Sequence, residues 1–261
     1  MDPQALLSSL SEPSSLRLLL LAFFGLWAGI QNALAGGGSF ITLPALIEWG
    51  LSPIEANITS TVALFPGQVV SGGMGWNHLG KQRPRHLIAL ILVSLVGGAA
   101  GGQLLVGTPS YLFSLLLPWL VLFATLIFVW GTFRKKGGQS ESQLSPLTLL
   151  LSQFMIAIYG GYFGGGIGFL MLAALTIAGF APRISGSLKN IFAAAMNLSA
   201  VLIFATSADL HWLPALTLGT GALIGFSLGS HLLGYLNEKW LRGFVILVGF
   251  TLTAWLFIRH Y

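Results

Sequence analysis

The chain has 261 residues, of which 55% are hydrophobic and only 7% charged, with a mean hydropathy of +0.84 and a net charge of +5. A soluble domain of this size needs far more charge on its exterior, so the composition excludes one and predicts an integral membrane protein. Cysteine is absent, which removes disulfides, thiolate metal sites and a cysteine nucleophile.

The first apolar piece covers about 16–35. Its end, Ala33-Leu34-Ala35, has the small-x-small pattern of a signal-peptide cleavage site. Asp2 and Glu12 against Arg17 leave no basic leader, however, so the segment is expected to remain in the mature protein. Three consecutive glycines follow, Gly36, Gly37 and Gly38, and then a second piece at about 38–50 that is too short to span a bilayer at ~1.5 Å per residue. Pieces three to five, at about 53–77, 86–106 and 110–133, are each long enough to cross.

The polar stretch 134–146, RKKGGQSESQLSP, reads as a linker. Beyond it the pattern returns, with pieces at about 147–163, 166–180, 182–206, 212–233 and 238–259 and a second triplet at Gly164, Gly165 and Gly166. The triplets stand 128 residues apart, from 36 to 164, and the same offset without a gap carries Thr59 onto Ser187, Gly97 onto Gly225 and Gly101 onto Gly229. The expected fold is therefore an all-α polytopic membrane protein of two homologous halves. Repeats occupy 1–133 and 147–261, and each is a glycine-broken helix pair followed by three spanning helices.

Loop charges favour an inverted repeat. Lys81, Arg83 and Arg85 in the first half have no basic counterpart in the second, where Lys189's repeat carries its loop charges one loop later, at Lys239 and Arg242. A parallel repeat is the alternative, and it moves Arg17 and Arg259 to the cytoplasmic side. The basic residues as a group lie in short loops, which makes them topology signals and not a nucleic-acid surface.

Irregular backbone at membrane depth is tolerated only inside protein or beside a wet cavity. Consecutive glycines stop a helix, and the piece that restarts after them offers free N–H groups and the positive end of its dipole. Gly36, Gly37, Gly38 and Ser39 in one half, and Gly164, Gly165 and Gly166 in the other, are therefore expected to present two such N-termini near mid-depth, an arrangement suited to an anion. The third pieces add donors: Asn57, Thr59, Ser60 and Gln68, and Ser187, Lys189, Asn190 and Asn197. Lys189 is an intramembrane ammonium by position, the bland reading being that it snorkels to the surface beside Arg183. Gly97, Gly101, Gly225 and Gly229 are read as close-packing residues. No carboxylate lies deep in an apolar piece, which argues against a cation carrier.

These residues carry a family likeness. The two GGG motifs, SPIEANITSTVALFPGQVVSGG after the first and ISGSLKNIFAAAMNLSAVLIF after the second resemble the TauE/SafE family of sulfite exporter-type permeases, from about Leu18 to Phe257. The resemblance implies a multi-pass transporter of the bacterial cytoplasmic membrane for sulfur-containing anions such as sulfite or organosulfonates. One departure is Leu172, which stands where the first half has Pro44.

The expected function is a permease for a small sulfur oxyanion that alternates access around a midplane site as one half rocks against the other. An anion channel is the nearest alternative. A membrane enzyme is disfavoured because no His, Asp or Glu cluster supplies its chemistry, and His78, His86, His211, His231 and His260 are scattered. No metal or cofactor is implied. The expected partners are a small anion, the bilayer and, optionally, further copies of the chain.

Overall fold

The computed structural model describes residues 15–34, 36–80, 85–133, 145–232 and 238–260. The leader and almost all of the 134–146 linker lie outside these residues. The described chain is helical: α1 (Ser15–Leu34), α2 (Ser39–Trp49), α3 (Pro53–Leu79), α4 (Leu87–Val106), α5 (Ser110–Phe133), α6 (Pro146–Tyr162), α7 (Ile167–Ile177), α8 (Pro182–Phe204), α9 (Trp212–Leu232) and α10 (Glu238–His260).

Local chemistry sets these boundaries. Ser52 and Glu55 close a reciprocal capping box at the start of α3, in which the Ser52 N–H donates to the Glu55 carboxylate at 2.7 Å. Ser145 Oγ accepts from the Thr148 N–H at 3.1 Å to open α6, and Pro53, Pro146 and Pro182 each occupy a first turn, where their missing N–H costs nothing. Gly50, at φ 115°, ends α2 in the left-handed conformation. The two short helices match: α2 and α7 have 11 residues each and begin 128 residues apart, at Ser39 and Ile167.

Among the described residues, five segments are long and apolar enough to cross a bilayer: Ser15–Ala33, Leu87–Val106, Ser110–Gly131, Ile184–Phe204 and Trp212–Gly229. With its outward leucines and aromatics, such as Leu19, Phe23, Leu92, Trp119 and Leu216, this makes the chain a multi-pass membrane protein. The broken-pair member α1 is thus long enough to span. The 27-residue α3 has the length but not the apolarity, because Asn57, Thr59, Ser60, Thr61 and Ser71 are buried on its inner side.

Packing crosses between the halves. α4 packs principally on α6 and α8, and α9 on α1 and α3. Glycine makes these contacts close. A methyl group on Gly225 would stand 1.9 Å from the Leu26 carbonyl oxygen, one on Gly29 2.1 Å from that of Ala222, and one on Gly98 2.2 Å from that of Met196. Directions follow from the same contacts. Gly25 meets Leu218 and Gly29 meets Ala222, so α1 and α9 run parallel, as do α4 and α8 where Gly98 meets Met196 and Gly102 meets Ala200. The repeat-equivalent pairs run antiparallel: Gly75 meets Ser187 while Gln68 meets Asn197 across α3 and α8, and Thr125 meets Gly249 while Trp119 meets Phe257 across α5 and α10.

Candidate functional site

The first glycine break is partly capped by neighbouring polar groups. α1 ends at Leu34, and Gly36 and Gly37 adopt φ 80° and 79°, a conformation open to glycine alone at no steric cost. α2 then folds back along α1. The Gly36 N–H donates to the Asn32 carbonyl at 3.1 Å, and the Gly38 N–H reaches Asn32 Oδ1 at 3.5 Å. Gln31 Nε2 donates to the Gly37 carbonyl at 3.2 Å and Thr42 Oγ1 to that of Gly38 at 3.4 Å, while the Thr42 and Ser60 hydroxyls share a hydrogen bond.

The second break is left open. α6 ends at Tyr162, whose carbonyl accepts from Asn57 Nδ2 at 3.1 Å, so α3 holds the end of the helix in place. Gly164 and Gly166 take φ 75° and 72°, and α7 starts at Ile167. Among the described residues, the N–H groups of residues 164–168 have no acceptor. Lys189 lies beside them. A methyl group on Gly168 would stand 3.4 Å from Lys189 Cδ and 3.9 Å from its Nζ, so the ammonium reaches the first turn of α7. No carboxylate among the described residues pairs with it. A bare ammonium next to free amides and the roughly half-charge of a helix N-terminus is a concentration of positive potential without a counter-ion.

The asymmetry is written in a pair of exchanges. Gly168 and Lys189 occupy the repeat positions of Phe40 and Thr61. Phe40 is fully buried, whereas glycine at its counterpart leaves room for the lysine stem. The two breaks face each other across one ring: a methyl on Gly37 would be 3.7 Å from both Phe169 and Gln31 Nε2. Phe169 itself stacks on Phe128 with ring centroids 3.8 Å apart.

The predicted residues therefore separate. Gly164, Gly165, Gly166 and Lys189 come together, with Thr61 Oγ1 3.5 Å from where a Gly164 side chain would begin and Asn57 holding the α6 end. Gly36, Gly37, Gly38 and Ser39 form the partly capped break across Phe169. Thr59 and Ser60 are engaged elsewhere, Thr59 accepting from the His211 N–H at 3.3 Å. Gln68 and Asn197 pair with each other at 2.7 Å, about two helical turns along α8 from Lys189. The Ser187 carbonyl packs against Gly75, and Asn190 is half-buried on the same helix face of α8 as Ala194, where Gly72 crosses. Gln31, Asn32, Thr42 and Phe169 are absent from the sequence-derived set. The polar pair Gln31-Asn32 in the last turn before the glycines is the signal that a side-chain cap would follow.

A helical membrane bundle whose polar centre is built from two broken helices has the construction of a multi-pass transporter. A profile of the family described as Sulfite exporter TauE/SafE matches residues 21–256, and the chain belongs to that family. It is 28% identical to a "Probable membrane transporter protein" of Haemophilus influenzae, over 91% of this chain and 93% of the relative. It is 26% identical to the "Probable membrane transporter protein YfcA" of Escherichia coli K12, over 95% and 92%. A third relative, "Probable membrane transporter protein ORF9" of a Sinorhizobium species, is 26% identical over 86% of each chain. No solved structure matches the chain.

Proposed function

We propose that this transporter carries a small sulfur-containing oxyanion, such as sulfite or an organosulfonate, across the bacterial cytoplasmic membrane by alternating access, and that it does so without catalysing a reaction. The observation that carries the reading is the Lys189 ammonium set, without a carboxylate partner, against the free amides of residues 164–168. Those amides bind the oxygens and the lysine offsets the charge. Asn57 and Thr61 belong to the facing wall on α3. The first break contributes less, because among the described residues no ammonium stands beside it and Asn32 Oδ1 already accepts from the Gly38 N–H.

The antiparallel run of α3 with α8, and of α5 with α10, supports an inverted repeat. That arrangement brings the C-terminal ends of α3 and α5 and the N-terminal end of α10 to one end of the bundle, and the sequence attaches its basic clusters at 81–85, 134–136 and 239–242 to those ends. That end is cytoplasmic by the positive-inside rule. The sulfur chemistry rests on the family description, the anion selectivity on the site.

The test is counterflow in liposomes containing the pure chain, with sulfite, sulfate, thiosulfate and ethanesulfonate as cargo. Saturable exchange of one or more of these is expected. Flux that neither saturates nor shows counterflow would make the protein a channel, and accumulation of an uncharged or cationic solute instead would overturn the anion reading.

A further inference from the structure

The contacts sort the helices into two groups that do not coincide with the sequence repeats. α4 packs on α6 and α8, and α6, α7 and α8 pack on one another; α5 joins them through α7 and the Tyr159 bond to the Leu120 carbonyl, although its most extensive packing is on α10. α9 packs on α1 and α3, α10 on α2, and α1, α2 and α3 on one another. Each repeat thus gives its last two helices to the other, so that 87–204 forms one group and 15–79 with 212–260 forms the second. The covalent chain passes between the groups only at the α3–α4 and α8–α9 connections.

The tightest backbone approaches lie inside the groups, while the seams carry looser ones, Gly75 against the Ser187 carbonyl and Gly72 against Ala194, together with the Asn57 bond to the Tyr162 carbonyl. Inside, backbones approach so closely that a single methyl group has no space, as at Gly225 against Leu26, Gly98 against Met196 and Gly161 against the Gly98 carbonyl oxygen at 2.2 Å. Directed side-chain bonds reinforce them: Gln153 Nε2 to Ser94 Oγ at 2.9 Å, Ser199 Oγ to the Leu95 carbonyl at 2.7 Å and Tyr159 Oη to the Leu120 carbonyl at 3.1 Å. Between the groups, the α3–α8 crossing holds the Gln68–Asn197 amide pair, in which Asn197 Oδ1 has no partner although the residue is buried. Gln31 Oε1 is likewise buried without a partner, on a side chain whose Nε2 lies, like the other group's Phe169, beside Gly37. Its Nε2 is fixed by donating to a carbonyl, so the unpaired atom is an acceptor in fact and not by choice of amide orientation. A buried unpaired acceptor is destabilising, and both of those left among the described residues lie on the seam between the groups.

We infer that the rigid bodies of the transport cycle are 87–204 and 15–79 with 212–260, and that they move along the α3–α8 and α5–α10 seams; the two sequence repeats do not move against each other. Bodies cut this way leave the tightest backbone-level welds intact, with only the looser Gly75–Ser187 approach on the seam, and the unpaired acceptors lie where a second arrangement can pair them. The anion site travels with 87–204, because α7 and Lys189 belong to it, while Asn57 and Thr61 form the wall it leaves. The α8–α9 connection is anchored to the other body by His211, whose ring meets Glu55 at 3.1 Å and whose N–H donates to Thr59. Bending is therefore confined to the short run just before His211. The inference rests on the carrier reading above.

The chain has no cysteine, so engineered pairs report without background. Three double variants decide the matter. Ala28→Cys with Ala222→Cys and Ser94→Cys with Gln153→Cys each tie the first repeat to the second inside one body, and Gln68→Cys with Asn197→Cys ties the bodies together. Counterflow of the cargo is compared before oxidation, after oxidation and after reduction. The first two bridges are expected to leave flux within twofold of the reduced form, and the third to reduce it at least tenfold, reversibly. Reversible loss with either of the first two, or undiminished flux with the third, overturns the assignment of bodies.

A cargo-independent measurement separates this from failure of the carrier reading. Spin labels at Leu20 and Leu216, both outward-facing and on one body, are expected to give one narrow distance distribution. Labels at Leu20 and Leu92, on different bodies, are expected to give two distances or a broad one. The reverse pattern, or two equally narrow distributions, overturns the inference even if no cargo has been found; the expected pattern without counterflow leaves the bodies standing and removes only the proposed cargo.

Discussion

Lys189 and Gly168 form one packing unit because neither position makes sense alone. An ammonium on a spanning helix is costly to bury, and it is accommodated here by a glycine where the other repeat has Phe40. Replacing Lys189 with methionine keeps the stem and removes the charge. If the ammonium holds the anion, the apparent dissociation constant should rise roughly ten- to hundred-fold, the range for a hydrogen bond to a charged group of about 1.5–3 kcal/mol. Isothermal titration or counterflow with the best cargo measures this, and an unchanged constant would remove Lys189 from the site. Gly168→Ala and Gly168→Leu then test the space around it. Alanine makes ordinary contact with the lysine stem at 3.4 Å and should retain binding, whereas leucine fills the lysine's place and should abolish binding in protein that still elutes as a single species.

Glycines divide into three kinds at the level of the elements, and the division is testable by thermal shift in detergent. Gly225 is a weld between α9 and α1, so Gly225→Ala should lower the melting temperature by several degrees, an overpacking cost of about 1–3 kcal/mol. Gly186 on α8 has no neighbour within 4 Å, and Gly186→Ala should be neutral or raise the melting temperature, by up to about 1 kcal/mol from helix propensity. Similar losses from both would mean that backbone freedom, not close approach, explains the glycine content. The third kind, the triplets, was legible as breaks because consecutive glycines leave no helical alternative. All ten elements could be placed from apolar runs and their caps for the same reason: each boundary is local chemistry. What stayed hidden depends on neighbours distant in sequence. Nothing in GGG distinguishes a break partly capped by Asn32 and Gln31 from one left open, since the cap forms only when α2 folds back along α1. The first piece, set among the glycine-broken pair and apart from the spanning pieces, gives an α1 that is long and apolar enough to cross. The third piece, read as an ordinary span, proved too polar for that description because α3 is lined with buried hydroxyls and amides.

For the molecule as a whole, the repeat is visible in sequence but the way its copies interlace is not, because a small-residue face states how closely a helix packs and not on what. α4 illustrates the point: Gly97, Gly98, Gly101 and Gly102 are all buried, and all four lie against α6 or α8 of the second repeat. A first repeat produced alone would leave that face, and the amide-lined inner side of α3, without partners. Lipid cannot replace them, since it offers neither close packing nor hydrogen bonds. Splitting the chain within the 134–144 linker should therefore yield two fragments that aggregate when expressed singly. Coexpression should let them copurify and recover counterflow, because the described welds between them are non-covalent. Size-exclusion profiles of each fragment and of the pair supply the measurement. A first fragment that is monodisperse and helical by itself would show that α4 has another way to cover its glycines, and would weaken the case that the two copies fold only by exchanging helices.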